Sequence, residues 1–531
     1  MDNDSSFLFV GTKFDRRKFS KDFDRFKEKK KDIDKVAEEL VVEDIKSDTG
    51  PEKENGSTSG RKRKRKGKVM EPVEGFSVFK PSRKEGSEIE EEDATVDIVA
   101  QHKKELNRQM EHDALLRKKY NIHTSGNNVP SPLNDFAELM TSYQCEPYIL
   151  RNMTKLGFRE PTPIQRQVMP VLLSGRECFA CAPTGSGKTL AFICPMLIKL
   201  KNPSADAVRA VILCPTRELA AQTTRECKKL AKGRKFFVRL MTSELKTADF
   251  SKMRCDVLIS TPRRLQFAIR RKRVDLSRVE YIVLDESDKL FELSMMKQID
   301  SVVKACSNPS IIRSLFSATL PDRVEELART IMHDAVRVII GRKNSASETI
   351  KQTLLFAGSE EGKLLGLRQT FAKSLNPPVL LFVQSKERAK ELYKELALDD
   401  IRVDVIHSDL SQIQRENVVN NFRAGKTWVL IATDVVARGM DFKGVNCVIN
   451  YDFPESASTY IHRIGRTGRA NRKGEAITFY TEEDFPYLRN IANVIVSSGG
   501  EVPSWIMSRS KLKWKRHTPK RESITTGGSA D

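Results

Sequence analysis

The sequence predicts an α/β protein: two tandem parallel-sheet domains joined by a short linker, with disordered, charged N- and C-terminal extensions. Three observations carry this. From about residue 133 to 340, apolar runs of four to six residues alternate with helical patterns, as a parallel sheet covered on both faces requires. The alternation resumes at about 351 and runs to 507. The flanks are charge-dense and lack apolar periodicity, so they cannot bury enough surface to offset ordering entropy. The expected layout is an extension over 1–130, a first domain over 131–341, a linker over 342–350, a second domain over 351–507 and a basic tail over 508–531.

In the first domain the strand candidates are 177–181, 209–214, 256–260, 280–284, 311–316 and 336–340, with helices at 146–156, 188–200, 217–230 and 322–332. Unbroken runs such as AVILC and YIVLD suit strands buried on both sides. The second domain offers strands at 379–383, 402–406, 428–432, 446–450 and 476–480, and helices near 386–397, 411–423 and 482–496. Residues 341–350, GRKNSASETI, read as a flexible connector, and 96–119 as a helix within the extension.

With 531 residues, 39% of them hydrophobic, the chain can build real cores but is not apolar enough to be globular throughout. Its net charge of +21 points to a polyanionic partner, nucleic acid first. No apolar run is long enough for a membrane-spanning helix, and the acidic start MDNDSSFLFVG is not a secretory signal. Nine cysteines, an odd number, suit a reducing compartment. Cys178 and Cys181 have CxxC spacing, but in a strand they face opposite sides, and no second CxxC completes a zinc site. The run RKRKRKGK at 61–68 reads as a nuclear localisation signal, an RNA-binding patch or a solvated charge run. In KLKWKR at 511–516 the Trp stacks on a base or the whole tail is solvated.

The chemistry centres on APTGSGKT, Ala182, Pro183, Thr184, Gly185, Ser186, Gly187, Lys188 and Thr189. It sits between a strand and a helix, as a phosphate-binding loop does, although Ala182 stands where the general pattern has glycine. Glycines let the backbone wrap a phosphate, the helix N-terminus favours negative charge, Lys188 would reach the β- and γ-phosphates and the Thr189 hydroxyl would bind Mg²⁺. The strand YIVL leads into Asp285 and Glu286, an acid pair able to hold Mg²⁺ through water and to activate a nucleophilic water, or simply acids at a helix start. Ser317-Ala318-Thr319 follows a strand and can relay hydrogen bonds or form a plain turn. In GFREPTPIQ, 157–165, Gln165 offers an amide matching the N6/N7 edge of adenine and Phe158 a stacking face. HRIGRTGR, 462–469, gives a glycine-rich cationic surface in which Arg466 and Arg469 could stabilise charge on a γ-phosphate.

Taken together, GFREPTPIQ, APTGSGKT, PTRELA (215–220), TPRR (261–264), DESD (285–288), SAT (317–319), VLLFVQS (379–385), ATDVVARGMDF (432–442) and HRIGRTGR stand in the order of the DEAD-box RNA helicases of superfamily two, and the chain resembles that family over about 133–510. The resemblance implies two RecA-like lobes closing on ATP, Mg²⁺ and single-stranded RNA. It assigns Phe158 and Gln165 to adenine, Lys188 and Thr189 to phosphates and metal, Asp285 and Glu286 to metal and water, Asp441 to the ribose, and Arg466 and Arg469 to the γ-phosphate. Ser317 and Thr319, with Asp288 and His462, would couple hydrolysis to strand separation. Thr216, Arg217, Thr261, Arg264, Gln384, Gln412, Arg415 and Thr433 would contact RNA, mainly phosphate and ribose.

Three departures from the family pattern stand out: Ser287 for alanine, Arg263 for glycine, and no glycine pair in MTSELK, 241–246. The resemblance extends to plant members of a branch acting in small-subunit ribosomal RNA maturation. The basic run at 61–68 and the charged tails point to a nuclear, nucleolar setting; the expected protein is a monomeric enzyme opening short duplexes, whose N-terminal extension could engage protein cofactors. The alternatives are an ATP-gated RNA clamp, an assembly scaffold working through residues 1–130, and a DNA helicase.

Overall fold

A computed structural model describes residues 90–531 except 205–206, 243–253, 293, 375, 435–441, 443, 470–471, 509–523 and 525–531, and excludes the side chains of 90–100, 323, 327 and 374. The chain divides into two compact units, 1–112 and 113–531. In the first unit the described residues belong to the helix Glu90–Lys119, which ends on Arg117, Lys118 and Lys119, cations that suit a helix C-terminus. The basic run 61–68 and the motif 511–516 lie outside the described residues.

Two sheets organise the second unit. The first holds β1 (Ile122–Ser125), β2 (Cys178–Cys181), β3 (Ala210–Leu213), β4 (Val238–Leu240), β5 (Val257–Ser260), β6 (Tyr281–Leu284), β7 (Ile312–Ser317) and β8 (Val336–Ile340), in the order β1-β8-β2-β7-β6-β3-β5-β4. Among the described residues only β1 runs antiparallel, against β8. The second holds β9 (Ile350–Gly358), β10 (Val379–Val383), β11 (Val403–Ile406), β12 (Val429–Thr433), β13 (Cys447–Asn450) and β14 (Gly474–Thr481), all parallel, in the order β11-β12-β10-β13-β14-β9.

Both sheets are buried on two sides, which is why their strands read as unbroken apolar runs. In β2, Cys178 and Ala180 face one core while Phe179 and Cys181 face the other. In the second sheet, Leu381 and Val383 enter one core and Leu380 and Phe382 its opposite. Because β2, β7 and β6 are neighbours, the loops leaving their C-terminal ends converge, the usual place for a ligand on an open parallel sheet. Those loops carry 182–187, 318–321 and Asp285-Glu286.

Several elements depart from expectation. β1 lies inside the segment assigned to the extension, yet it pairs residue by residue with β8, Ile122 opposite Ile340. The segment after it is strapped down: Gln167 Nε2 donates to the Pro130 carbonyl at 2.8 Å, and Arg166 Nη1 to the Leu133 carbonyl at 2.9 Å. β1, β4 and β9 were too short or too mixed to stand out as apolar runs. The helix Pro163–Leu173 hides behind two prolines; Pro163 takes the first turn, where no N–H is needed. The connector is fastened rather than loose. Leu320 N donates to Asn344 Oδ1 at 2.7 Å, Thr349 Oγ1 donates to the Gly468 carbonyl at 3.0 Å, and Ile350 already belongs to β9.

Candidate active site

A cavity of about 590 Å³ opens between the two lobes. The first lobe supplies Gly185, Lys188, Thr189, Asp285 and Glu286; the second supplies Arg466 and Arg469. Phe158 lines the same space. Gly185 and Gly187 turn the loop with φ of +77° and +91°, values costly for any residue with a Cβ. Ala182 takes no positive φ and its N–H donates to the Ser317 carbonyl at 3.1 Å, so this position does not require glycine.

Lys188 opens the helix Lys188–Leu200 and folds back onto the loop, its Nζ donating to the carbonyls of Ala182 at 2.6 Å and Pro183 at 2.9 Å. Burial lowers its pKa, against the opposing pull of Asp285 and other acids. Burial also raises the Asp285 carboxyl to about 7, helped by the neighbouring Glu286 charge and opposed by Lys188. Glu286 adopts φ +47°, and its Oε2 is buried with no hydrogen-bond partner. Among the described residues no cluster of three His, Cys, Asp or Glu could cage a metal. The oxygens present instead fit Mg²⁺, which keeps several waters and binds through one or two carboxylates plus phosphate oxygens. Thr189 and Asp285 would hold it, with Glu286 reaching it through water, which leaves the unsatisfied Glu286 oxygen open.

Gln165 departs from its expected pose. Its Oε1 accepts from Thr162 N at 3.0 Å and its Nε2 donates to the Gly187 carbonyl at 3.0 Å. The amide therefore ties the start of the helix Pro163–Leu173 to the phosphate loop and does not line the cavity. Arg466 and Arg469 follow the helix Ala457–Ile464, and each folds back on a backbone carbonyl, Arg466 Nε on His462 at 3.3 Å and Arg469 Nε on Gly465 at 3.0 Å. Both lie past the last residue of that helix.

The lobes touch directly. Thr184 Oγ1 donates to the Gly465 carbonyl at 3.2 Å. Deeper in, Asp288, Ser317, Thr319 and His462 meet in one buried network. His462 Nε2 lies 2.7 Å from Asp288 Oδ2, Thr319 Oγ1 donates to the same oxygen at 2.5 Å, and Ser317 Oγ donates to the Thr319 carbonyl at 2.6 Å. Burial would raise the Asp288 carboxyl, but the His462 and Lys289 charges and the Thr319 hydroxyl outweigh it and hold the group well below the carboxylate range.

The residues expected to meet RNA divide into two groups. Thr216 caps the helix Arg217–Leu230, and Arg217 beside it is exposed. Thr261 precedes the helix Pro262–Arg270, Gln412 is exposed at the head of the helix Gln412–Arg423, and Gln384 and Thr433 sit at the C-terminal ends of β10 and β12. Arg264 and Arg415 are already engaged. Arg264 is buried and Nη1 donates to the Met241 carbonyl at 2.8 Å, while Arg415 Nη1 forms a 2.6 Å ion pair with Glu218 across the lobes. A guanidinium shielded from water seeks acceptors within the protein; each of these finds one through Nη1, while its Nε is buried with no hydrogen-bond partner. Asp441 lies outside the described residues, as do 243–246 of MTSELK.

Comparison with known proteins places the chain. The DEAD/DEAH box helicase family matches residues 162–327, and the helicase conserved C-terminal domain matches 362–471. The chain is 68% identical over 535 residues to DEAD-box ATP-dependent RNA helicase 57 of Arabidopsis thaliana, covering 100% of this chain and 99% of that relative. The chain belongs to the DEAD-box ATP-dependent RNA helicases. It is 48% identical over 425 residues to the rat probable ATP-dependent RNA helicase DDX52, covering 77% of this chain and 71% of the relative. S. cerevisiae Dbp5 bound to RNA and ADP BeF3 is a structural neighbour at TM-score 0.61 and 30% identity, covering 70% of this chain and 94% of that one.

This DEAD-box helicase is thus an ATP-hydrolysing enzyme with two RecA-like lobes. Its motifs located the cavity but missed some of the residues around it. Gln222, Arg225 and Arg423 also line the space, from the helices Arg217–Leu230 and Gln412–Arg423. Lys289 and Ser458 join the buried network. Neither group stands in a glycine-rich or acid-pair pattern. Only the i,i+4 spacing of Ser458 and His462 could have signalled that both face the first lobe.

Proposed function

We propose that this enzyme opens short RNA duplexes locally, in ribosomal RNA processing within the nucleolus, acting as a monomer with Mg²⁺ and ATP. One observation carries the mechanism: Lys188, Asp285 and Glu286 of one lobe share a cavity with Arg466 and Arg469 of the other. A triphosphate there needs groups from both lobes, so its binding favours the closed arrangement by differential affinity.

In this reading Lys188 leaves the Ala182 and Pro183 carbonyls for the β- and γ-phosphates. Phe158 stacks on adenine, and Gln165 turns its amide to the base edge when the helix start is rearranged by ligand. Thr189 and Asp285, with Glu286 through water, would hold Mg²⁺, which would supply charge neutralisation. Glu286, with its unsatisfied oxygen, orients the attacking water and accepts its proton. Arg466 and Arg469 exchange their carbonyl partners for the γ-phosphate, where such guanidinium groups contribute about 10³ to 10⁵ in rate. Thr216, Arg217, Thr261, Gln384, Gln412 and Thr433 hold one RNA strand by its backbone. Arg415 serves chiefly to tie the lobes, and Arg264 to brace the loop after β4. Loss of the γ-phosphate removes the bridge, and the strand is released.

The ribosomal setting is supported by the resemblance to the ribosomal RNA maturation branch and by the basic run 61–68. Crosslinking in cells, followed by sequencing of bound RNA, tests it; fragments devoid of pre-ribosomal sequence would overturn it. For the mechanism, Glu286→Gln is expected to bind ATP and RNA but lose turnover by about two to four orders of magnitude. Normal RNA-stimulated hydrolysis in that variant would sink the assignment. Strand displacement on a short duplex separates unwinding from clamping.

A further inference from the structure

The short helix Ser287–Glu292 presents two adjacent residues to the cleft, Asp288 and Lys289. The helix Ala457–Ile464 presents two residues one turn apart, Ser458 and His462, on one face. They meet as two pairs. Asp288 contacts His462, and Lys289 Nζ donates to Ser458 Oγ at 3.0 Å. Thr319 joins the pairs. Its hydroxyl lies 2.5 Å from Asp288 Oδ2 and 3.2 Å from Ser458 Oγ. It has one proton, best given to the carboxylate; Ser458 then donates to Thr319 while accepting from Lys289. The four polar groups are thereby ordered in one direction, from the Lys289 ammonium to the Asp288 carboxylate.

Lys289 is fully buried, at 0% exposure. Within its own lobe it has Glu292, one turn on, at 2.6 Å. A dry ammonium is costly unless its protons are matched. With the lobes apart, water can serve the proton that faces the cleft. With the lobes together that water is expelled, and Ser458 of the opposite lobe takes its place. Closure is therefore favourable only when the helix Ala457–Ile464 arrives in the register that delivers the Ser458 hydroxyl. Arg466 and Arg469 follow that helix directly, so the same register aims them.

We propose that Lys289 and Ser458 are a positioning pair that sets the closed register of the two lobes, and so places Arg466 and Arg469 for the reaction. The pair touches no substrate; it acts through the arginines. This inference rests on the two-lobe mechanism above and adds two residues to it.

The test is a double-mutant cycle on the full chain, reading RNA-stimulated kcat and the KM for ATP in Lys289→Met, Ser458→Ala and the double variant. Each single change is expected to lower kcat about tenfold with KM within about twofold, and the double variant to be no worse than the poorer single one. Lys289→Arg and Ser458→Thr, which keep the donor and the hydroxyl, should recover kcat to within about threefold. Multiplying effects, a loss carried by KM, or conservative variants as poor as the truncating ones would each overturn the pairing. Should Lys289→Met fail to fold, Ser458→Ala against Ser458→Thr still decides, since the Ser458 hydroxyl faces the other lobe and its removal takes no contact from the second lobe's own core. Glu286→Gln in the same assay separates the two levels: turnover in that variant would remove the whole mechanism, whereas a dead Glu286→Gln with an additive cycle removes only the pair.

Discussion

Glu286 occupies the left-handed region at φ +47°, a conformation that costs a residue with a Cβ on the order of 1–3 kcal/mol. Its carbonyl accepts from Lys289 N at 2.9 Å and Leu290 N at 3.1 Å, so the turn is held by the helix that follows. The strain keeps the carboxylate beside the cavity instead of along the extension of β6. The cysteines show the opposite use of burial. All nine are buried and unpaired as disulfides. Burial raises Cys145 to about 12, Cys181 to about 11, and Cys227, Cys255, Cys306 and Cys447 to about 12, and lifts Cys178, Cys194 and Cys214 as well. The thiolate is the reactive form, so at pH 8 every one of these sulfurs is protonated and shielded. Native enzyme should show no rapid reaction with a disulfide reagent at pH 8, and all nine should react in guanidinium; a fast native thiol would contradict the structure.

Among the elements, the second lobe depends on a buried charge cluster that no motif announces. Arg388 bridges Asp452, at 2.8 and 2.7 Å, and Glu360, at 2.6 Å, while the fully buried Lys363 meets Glu360 at 2.7 Å. Asp452 also accepts from Gln384 N at 2.8 Å, fixing the end of β10. Removing one member leaves an uncompensated charge, so Asp452→Asn should cost the lobe about 3–5 kcal/mol. Burial would raise Glu360, but Lys363 and Arg388 outweigh it and hold the carboxyl below its ordinary 4.5. Its contribution is therefore complete above that value and lost as pH falls through the lower folded one. All three tryptophans, Trp428, Trp505 and Trp514, lie in the C-terminal half, so acid unfolding followed by their fluorescence should move to higher pH in Asp452→Asn. The central strands β2, β3, β6, β10 and β13 were legible because burial on both faces writes an unbroken apolar run. The phosphate loop, acid pair and arginine turn were legible because their chemistry fixes residue types at short spacing. β1 and β9 were not, because edge strands with one wet side carry mixed residues. The commitments of Arg264, Arg415 and Gln165 were not either, because a polar partner 20 to 200 residues away leaves no local pattern.

At the scale of the whole molecule, closure is governed by how near the phosphate loop and the arginine turn approach. A Cβ at Gly465 would stand 1.7 Å from Thr184 Oγ1 and 2.9 Å from Thr184 Cβ. Gly465→Ala should therefore wedge the lobes apart and reduce RNA-stimulated hydrolysis by about two orders of magnitude. Energy transfer between dyes on the two lobes would check this, and ATP-driven closure equal to that of the parent would refute it. The last consequence belongs to β1. This strand of four residues occupies the rim of the first sheet that β8 would otherwise leave bare. A polypeptide trimmed to begin at residue 131 would keep every helicase motif yet present β8, with Val336, Val338 and Ile340, as an unsatisfied ladder. Such a fragment would be catalytically complete and colloidally poor, recruiting a neighbour's strand in place of the one it lost.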